Sequence, residues 1–215
     1  MVFINGYEYL QDCDCMDKRR SLWRIERSGL SDMVKRYTFD TFEVKAKHQK
    51  AMKDMGQAFC QEKSGWFYIG GQVGCGKTHI CTAIANSLMQ KGLNVRYMIW
   101  PDEVTKLKAI KMDEQQYSLE IGYLKDSPVL YIDDFFKTAN GDIAGRPTQA
   151  DINIAFELLN ARYNDTSKIT IISGERPIGD IIDLDEALGS RIKHRCGVYN
   201  LTIGKGKEKN YRLKG

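Results

Sequence analysis

The sequence lacks any apolar run long enough to span a bilayer, which takes about 20 consecutive residues. Its amino terminus, MVFINGYEYLQDCDC, lacks the charged start and apolar core of a secretory signal. Its six cysteines, at positions 13, 15, 60, 75, 81 and 196, lack the spacing of a disulfide framework. These absences argue against a membrane protein and a disulfide-rich secreted domain. We therefore expect a cytoplasmic protein with free thiols and no membrane partner.

A strong net charge is also missing, because 32 basic side chains face 28 acidic ones and leave only +4. The basic residues concentrate near the two ends, between Lys18 and Arg36 and from Arg191 onward. Such clusters fit either a solvated surface or a surface that contacts a polyanion. The chain length predicts one domain, residues 37–215, preceded by a short arm, residues 1–36, with a basic helix over 16–36.

Glycines gather in one stretch, WFYIGGQVGCGKTHICTAIANSLMQK, which runs from Trp66 to Lys91. Its aromatic start predicts a strand and its end a helix, and between them Gly71 is followed after four residues by Gly76-Lys77-Thr78. This is the phosphate-loop pattern in its strand–loop–helix setting. Backbone N–H groups would hold the α/β-phosphates, Lys77 would reach the β/γ-phosphates, and Thr78 would bind Mg²⁺. The predicted nucleotide ligands are Gly71, Val73, Gly74, Cys75, Gly76, Lys77, Thr78 and His79.

A second acidic motif, PVLYIDD, predicts a buried strand that ends at Asp133 and Asp134. Ligands of open α/β sheets bind beyond the carboxyl ends of the strands, so these carboxylates should face the phosphate loop. We predict that Asp133 holds Mg²⁺ with Thr78 and that Asp134 orients the attacking water. Because aspartate is shorter than glutamate, slow intrinsic hydrolysis is expected.

The rest of the chain alternates apolar strand-like runs with helical patterns, which predicts a parallel sheet covered on both faces. An aromatic cluster at Tyr37, Phe39 and Phe42 precedes the phosphate loop and would either fill the core or flank an adenine base. No Asn-Lys-x-Asp segment is present to recognise guanine, so ATP is preferred over GTP. Further strands are predicted at 94–100, 168–173 and 198–203. Helices are predicted from after the aromatic cluster to about Glu62 and at 101–126, 149–164 and 178–195.

The phosphate loop, the Asp-Asp strand end and the segment SGERPIGDIIDLDEALGSRIKHRC together resemble the DnaC/DnaI-like helicase loaders of bacteria and phages, which are AAA+ ATPases. The resemblance covers about Tyr37 to Arg212. It implies an α/β fold: an AAA+ core with a five-stranded parallel sheet flanked by helices, a short amino-terminal helical arm and no substantial carboxyl-terminal lid.

The resemblance also implies roles for individual residues. Ser190-Arg191 matches the family's Ser-Arg motif, so Arg191 would be an arginine finger donated to the ATP of a neighbouring subunit; the alternative is a helix-end arginine paired with Glu186. Arg212 resembles a final nucleotide-sensing arginine. Two positions depart from the family: Ser173-Gly174-Glu175 replaces a polar sensor that is often Asn, and Cys13 and Cys15 are only half of a zinc site.

By resemblance, the function is ATP-dependent loading of a hexameric replicative helicase onto single-stranded DNA, with ATP and Mg²⁺ as cofactors. Self-association would go through the ATP site. DNA backbone contacts are expected from Lys106, Lys108, Lys111, Lys137 and Arg146. Two alternatives stay open: an IstB-like transposition helper that acts on double-stranded DNA with a transposase, and an ATP-gated adaptor with negligible hydrolysis.

Overall fold

The computed structural model describes residues 2–4, 7–9, 16, 31–137, 145–206 and 209–210. Two short strands near the amino terminus, β1 (Val2–Ile4) and β2 (Tyr7–Tyr9), pair with each other in antiparallel orientation. The other strands are β3 (Gly65–Gly71), β4 (Val95–Ile99), β5 (Val129–Phe135), β6 (Ile169–Gly174) and β7 (Asn200–Ile203). They form one parallel sheet in the order β4-β5-β6-β3-β7. The predicted five-stranded parallel sheet is confirmed.

The described residues also form eight helices. They are α1 (Ser31–Arg36), α2 (Lys47–Phe59), α3 (Lys77–Gln90), α4 (Trp100–Ala109), α5 (Glu114–Asp126), α6 (Gln149–Asn164), α7 (Ile178–Leu184) and α8 (Glu186–Cys196). None of these helices has the length and apolar character needed to cross a membrane. After β7, the described residues 204–206 and 209–210 contain no α-helix.

The sheet separates two hydrophobic cores, and the alternation of side chains along β3 assigns each residue to one of them. Trp66 and Tyr68 join a core with residues of α4 to α8. Phe67 and Ile69 join the opposite core with residues of α2 and α3. Because both faces of the sheet are covered, β3 is apolar on both sides, as is typical of a parallel sheet. The phosphate loop therefore leaves a strand that is hydrogen-bonded on both edges and packed on both faces.

A buried arginine ties three segments together at the amino-terminal edge of the sheet. Arg162, near the end of α6, is fully buried. Its guanidinium donates to Thr170 Oγ1 at 2.9 Å and to Ile169 O at 2.6 Å on β6. It also donates to the carbonyl oxygens of Leu124, Lys125 and Ser127, which close the turn between α5 and β5. Burial lowers the pKa of Arg162 to about 10, so the side chain remains charged at neutral pH.

Two predicted helices are each broken in two, and both breaks are made by an aspartate. The helix expected over 101–126 stops after α4, and Asp113 then caps α5 by accepting from Gln116 N at 3.0 Å. The helix expected over 178–195 stops after α7, and Asp185 caps α8 by accepting from Leu188 N at 2.7 Å. An aspartate side chain at an N-cap satisfies a helical N–H and starts a new helix axis.

The predicted ends of two elements also need correction, and a third element lies partly outside the described residues. The strand expected to reach Trp100 ends at Ile99, because Trp100 already begins α4 with a proline in the first turn. The helix expected to continue to about Glu62 ends at Phe59. Of the helix predicted over 16–36, the described part is α1 together with residue 16, and residues 17–30 lie outside the described part.

Candidate nucleotide site

The phosphate loop joins β3 to α3, and its glycines adopt backbone conformations that other residues rarely adopt. Gly76 has φ +96° at the N-cap of α3, so α3 begins directly at Lys77. Gly71 has φ +146°, and a Cβ placed on it would lie 2.4 Å from Ile203 O of β7. The positive φ values let the N–H groups before α3 converge at its amino terminus, where the helix dipole favours an anion. The predicted nucleotide ligands between Gly71 and His79 thus lie on the end of β3, the loop after it and the first turn of α3.

The side chains of Lys77 and Gln72 hold this loop in place by hydrogen bonds. Lys77 Nζ donates to Gly71 O and to Gln72 O, at 2.8 Å each, so the ammonium group lies inside the turn. Gln72 and Gly206 exchange two hydrogen bonds, from Gln72 Nε2 to Gly206 O at 2.8 Å and from Gly206 N to Gln72 Oε1 at 2.7 Å. The residues after β7 therefore form part of the loop's support. Asn210 lies close as well, because a Cβ on Gly74 would be 2.1 Å from its Oδ1.

The acidic strand end meets the loop, as predicted. Thr78 Oγ1 donates to Asp133 Oδ1 at 3.3 Å. Tyr97 Oη donates to Asp133 Oδ2 at 2.8 Å, and Ser173 Oγ donates to Oδ1. A hydroxyl and a carboxylate at this separation are the hard oxygen donors that Mg²⁺ prefers, so the residues present fit that metal. Burial and the Asp133 charge raise the pKa of Tyr97, which keeps its hydroxyl protonated and donating.

Replacing Tyr97 with phenylalanine should weaken the affinity of the site for Mg²⁺. The change removes one of the hydrogen bonds that orient Asp133, and loss of such an outer-sphere partner typically costs about 10–100-fold in metal affinity. We expect the Mg²⁺ concentration for half-maximal ATP turnover to rise by about tenfold. The matched control is Tyr199→Phe, which removes a hydroxyl–carboxylate bond to Glu62 and should leave the Mg²⁺ titration unchanged. Equal Mg²⁺ titrations for Tyr97→Phe and the unaltered protein would contradict the role.

Asp134 lines the same pocket as Lys77 and Thr78. Its backbone is in the left-handed region, with φ +55°, and its N–H donates to Asp133 Oδ1 at 3.1 Å. Lys137 Nζ lies 2.9 Å from its Oδ2. The carboxylate predicted to orient water is therefore held in an ion pair with a lysine three residues later.

The sequence left open which side chain of Ser173-Gly174-Glu175 senses the γ-phosphate, and Glu175 lies at the same pocket. Glu175 lines the pocket together with Asp134 and Lys137. Its Oε1 is 3.7 Å from Lys137 Nζ, and only 9% of its side chain is exposed. The signal was present in the sequence, because Glu175 follows the end of β6, and ligands of such sheets bind beyond strand ends. Ser173, in the same stretch, is accounted for by its bond to Asp133.

The aromatic segment before α2 divides between the two roles considered for it. Phe42 is 6% exposed and belongs to the core beside α2 and α3. Tyr37 instead lines the pocket and stacks on His79, with ring centroids 4.6 Å apart. His79 Nε2 lies 2.9 Å from Thr38 O, and burial lowers the pKa of this imidazole. Phe42 therefore fills the core, while Tyr37 and His79 offer flat surfaces beside the phosphate loop.

Arg191 lies on α8 and does not line the pocket formed by the phosphate loop of its own subunit. Its guanidinium carbon is 5.1 Å from the ring centroid of Phe156 and 5.6 Å from that of Tyr163, both on α6. Arg191 Nη1 donates to Ala187 O at 2.8 Å. No ion pair joins it to Glu186 within the described residues, so the helix-end alternative gains no support. Arg212, and Cys13 with Cys15, lie outside the described residues.

The sequence signature of one protein family, described as IstB-like ATP binding protein, matches residues 11–215. This chain belongs to the IstB-like ATP-binding family. The ATP-binding description of the family agrees with the phosphate-loop pattern in this chain. One similar protein is the phage-like element PBSX protein XkdC of Bacillus subtilis (strain 168). It is 32% identical to this chain over 100% of this chain and 83% of its own length.

Solved structures agree with the AAA+ fold of this IstB-like chain. A DnaC helicase loader superposes with a TM-score of 0.64 at 22% identity, over 81% of this chain and 99% of the loader chain. The replication initiator DnaA, solved with AMPPCP and single-stranded DNA, superposes with a TM-score of 0.63 at 19% identity. That match covers 83% of this chain and 54% of the DnaA chain. At these identities the likeness concerns the fold, and the predicted α/β AAA+ architecture is confirmed.

Proposed function

We propose that this protein is an ATP-dependent loader of a hexameric replicative helicase onto single-stranded DNA. The observation that carries the proposal is that Arg191 does not line the pocket formed by the phosphate loop. The phosphate loop and Asp134 line this pocket, and Asp133 contacts the loop through Thr78. Arg191 packs against Phe156 instead. A guanidinium that stabilises the γ-phosphate would then have to come from a second copy, so ATP binding would promote self-association. The confirmed ATP-binding family and the DnaC-like fold support this proposal.

The proposed division of labour follows the two parts of the chain. Residues 1–36 would form the arm that docks on the helicase, and residues 37–215 would form the ATPase domain, with ATP and Mg²⁺ as cofactors. α1 contacts the ATPase domain, because Asn86 Nδ2 of α3 donates to Val34 O at 2.6 Å. If nucleotide binding moves α3, this contact would therefore also displace the end of the arm. A cytoplasmic location would fit such a partner.

Single-stranded DNA would meet the basic side chains of α4 and the turn after it. These lysines are paired with acids: Lys106 with Glu103, Lys108 with Asp151, and Lys111 with Glu157, at 3.5, 2.5 and 3.7 Å. Such partly exposed pairs contribute little stability, about 0–1 kcal/mol, so a DNA phosphate can replace the acid at small cost. Lys137 differs, because it lies at the nucleotide pocket beside Asp134. We therefore propose Lys106, Lys108, Lys111 and Arg146 as the DNA contacts, without Lys137. Arg146 lies two residues before Thr148, whose hydroxyl accepts from Lys108.

The proposal is tested by co-purifying the full chain with candidate replicative helicases in ATP and in ADP. We expect capture of the helicase by the wild-type protein to depend on the nucleotide. Lys77→Ala removes the ammonium group inside the phosphate loop and should abolish that dependence. The matched control is Lys50→Ala, because Lys50 is exposed and lies on α2. Equal capture by Lys77→Ala and wild type in both nucleotides would contradict a nucleotide-controlled loader.

The family description favours one further candidate, a transposition helper that acts with a transposase on double-stranded DNA. The same pull-down separates the two, because only a loader should capture the helicase. An ATP-gated adaptor would bind nucleotide but release no phosphate in a single turnover of the assembled protein. Tighter binding to double-stranded than to single-stranded DNA at the same salt concentration would favour the transposition helper.

A further inference from the structure

We propose that Glu175, rather than Asp134, is the carboxylate that accepts a proton from the water that attacks ATP. The inference deepens the proposed ATPase function and rests on it. Glu175 follows β6, the strand between β5 and β3 in the sheet. It therefore leaves the sheet between the strand that ends at Asp133–Asp134 and the strand that leads into the phosphate loop. Its side chain lines the loop pocket and also the cavity beside Gly71 and Gly206.

The carboxylate of Glu175 is buried and only half engaged. Oε1 lies 3.7 Å from Lys137 Nζ, and the side chain is 91% buried, since 9% of it is exposed. Oε2 is buried and meets no hydrogen-bond donor among the described residues. A buried carboxylate oxygen without a donor is costly, and such atoms are rare in native proteins. An oxygen of this kind at the wall of a ligand pocket is suited to accept a hydrogen bond from a bound water molecule.

The backbone around Glu175 is fixed by contacts that do not involve its carboxylate. Tyr68 Oη, fully buried in β3, donates to Arg176 O at 2.6 Å. Gly70 allows this approach, because a Cβ there would lie 2.2 Å from Arg176 O. Arg176 Nη2 in turn donates to Gly145 O at 2.8 Å. Glu175 is thus presented by a rigid turn, and a general base has to be held in a defined position to be effective.

Asp134 is less suited to the same task. Its carboxylate is held by Lys137 at 2.9 Å, closer than Lys137 lies to Glu175. The Asp134 side chain is also 33% exposed, whereas the Glu175 side chain is 9% exposed. Glutamate extends one methylene further than aspartate, which matters because the base must come within about 2.6–3.2 Å of the water. Lys137 therefore neutralises Asp134 and leaves Oε2 of Glu175 to accept the proton.

The step balances without another reactant. The water oxygen forms a bond to the γ-phosphorus while the bond from that phosphorus to the β,γ-bridging oxygen breaks. ADP leaves with the electron pair of the broken bond. Glu175 Oε2 takes the water proton and then releases it to the phosphate product. Lys77 and an arginine from a neighbouring subunit would position the phosphoryl group and stabilise its charge, and a bound Mg²⁺ would supply further positive charge there.

The test compares isosteric variants, Glu175→Gln and Asp134→Asn, in the full-length assembled protein. ATP affinity is measured with a fluorescent ATP analogue, and the chemical step by single-turnover phosphate release. We expect Glu175→Gln to slow the chemical step by about 10²–10⁴-fold, the usual contribution of a general base, with ATP affinity within threefold of wild type. Asp134→Asn should lose less than Glu175→Gln. Glu114→Gln removes an exposed acid on α5 and should change neither quantity.

Each other outcome overturns the inference. Glu175→Gln turning over at the wild-type rate, or Asp134→Asn losing as much or more, would return the role to Asp134. A Glu175→Gln variant that loses ATP affinity in proportion to its rate would make Glu175 a structural residue of the pocket. A wild-type assembly that binds ATP but never releases phosphate would remove the proposed ATPase function itself, and this inference with it. The wild-type single-turnover trace thus distinguishes the two failures.

Discussion

Replacing Arg191 with alanine should slow ATP hydrolysis by the assembled protein by about 10³–10⁵-fold, the size of effect that an arginine finger contributes to phosphoryl transfer. The expectation follows from the resemblance of Ser190-Arg191 to the loaders' Ser-Arg motif. Arg191 lies against Phe156 and Tyr163 and does not line the pocket of its own subunit, which is compatible with that role. ATP binding should change little, because the phosphate loop is untouched. Turnover measured with single-stranded DNA, together with ATP affinity, checks both expectations.

A mixing experiment tests whether Arg191 acts across subunits. Lys77→Ala subunits retain Arg191, and Arg191→Ala subunits retain the phosphate loop. Each variant alone should be inactive, whereas an equal mixture contains interfaces where an intact loop meets an intact arginine. We expect the mixture to recover a measurable fraction of wild-type turnover. Lys193→Ala, on the exposed face of the same helix, serves as the control and should retain full activity. Full activity of Arg191→Ala alone, or a mixture as inactive as its components, would refute action across subunits.

Replacing Arg162 with methionine should destabilise the fold by about 3–5 kcal/mol, because several buried carbonyl oxygens lose their donors at once. The carbonyl oxygens of Leu124, Lys125, Ser127 and Ile169 all accept from this guanidinium. In a protein of this size the loss corresponds to a fall of roughly 6–20 °C in Tm. Urea unfolding gives the free energy directly, and the slope of the transition shows whether unfolding remains cooperative.

Two further variants separate geometry from charge at this position. Arg162→Lys keeps the charge but cannot reach acceptors on three segments at once, so it should recover only a minor part of the loss. Lys50→Met changes an exposed side chain of similar length on α2 and should shift the free energy of unfolding by about 0.5 kcal/mol or less. A stability of Arg162→Met within that range would mean that the carbonyl groups find other donors.

The parts of the site that are local in the chain could be predicted from the sequence. Gly71 to Thr78 carry a motif whose spacing itself sets the turn, and Asp133 follows an apolar run that can only be a buried strand. Parallel strands place their carboxyl ends along one edge, so the meeting of Thr78 with Asp133 followed from the motif order alone. The sheet followed similarly from the alternation of apolar runs and helical patterns. Element type was therefore predictable wherever a long periodic pattern specified it.

The features that were missed depend on contacts between distant segments. Asp113 and Asp185 each stand inside a continuous helical pattern, and only their hydrogen bonds to later N–H groups show that they begin new helices. Arg162 reads as an ordinary helix residue until α5 and β6 are folded against it. Glu175 lies in a stretch recognised as unusual, yet its burial beside Lys137 depends on how β5, β6 and β3 are ordered in the sheet. Long-range packing decides these cases, and sequence spacing does not record it.

The paired hydrogen bonds between Gln72 and Gly206 have a practical consequence for anyone who purifies this protein. By thermodynamic reciprocity, a ligand that stabilises the phosphate loop also stabilises the segment after β7. A change that destabilises that segment therefore weakens binding of the ligand. A purification handle fused behind Gly215 would sit only a few residues beyond Asn210, against which Gly74 is packed. Nucleotide affinities measured with such a fusion would then include the effect of the handle. Removing the handle by proteolytic cleavage should therefore raise the measured affinity.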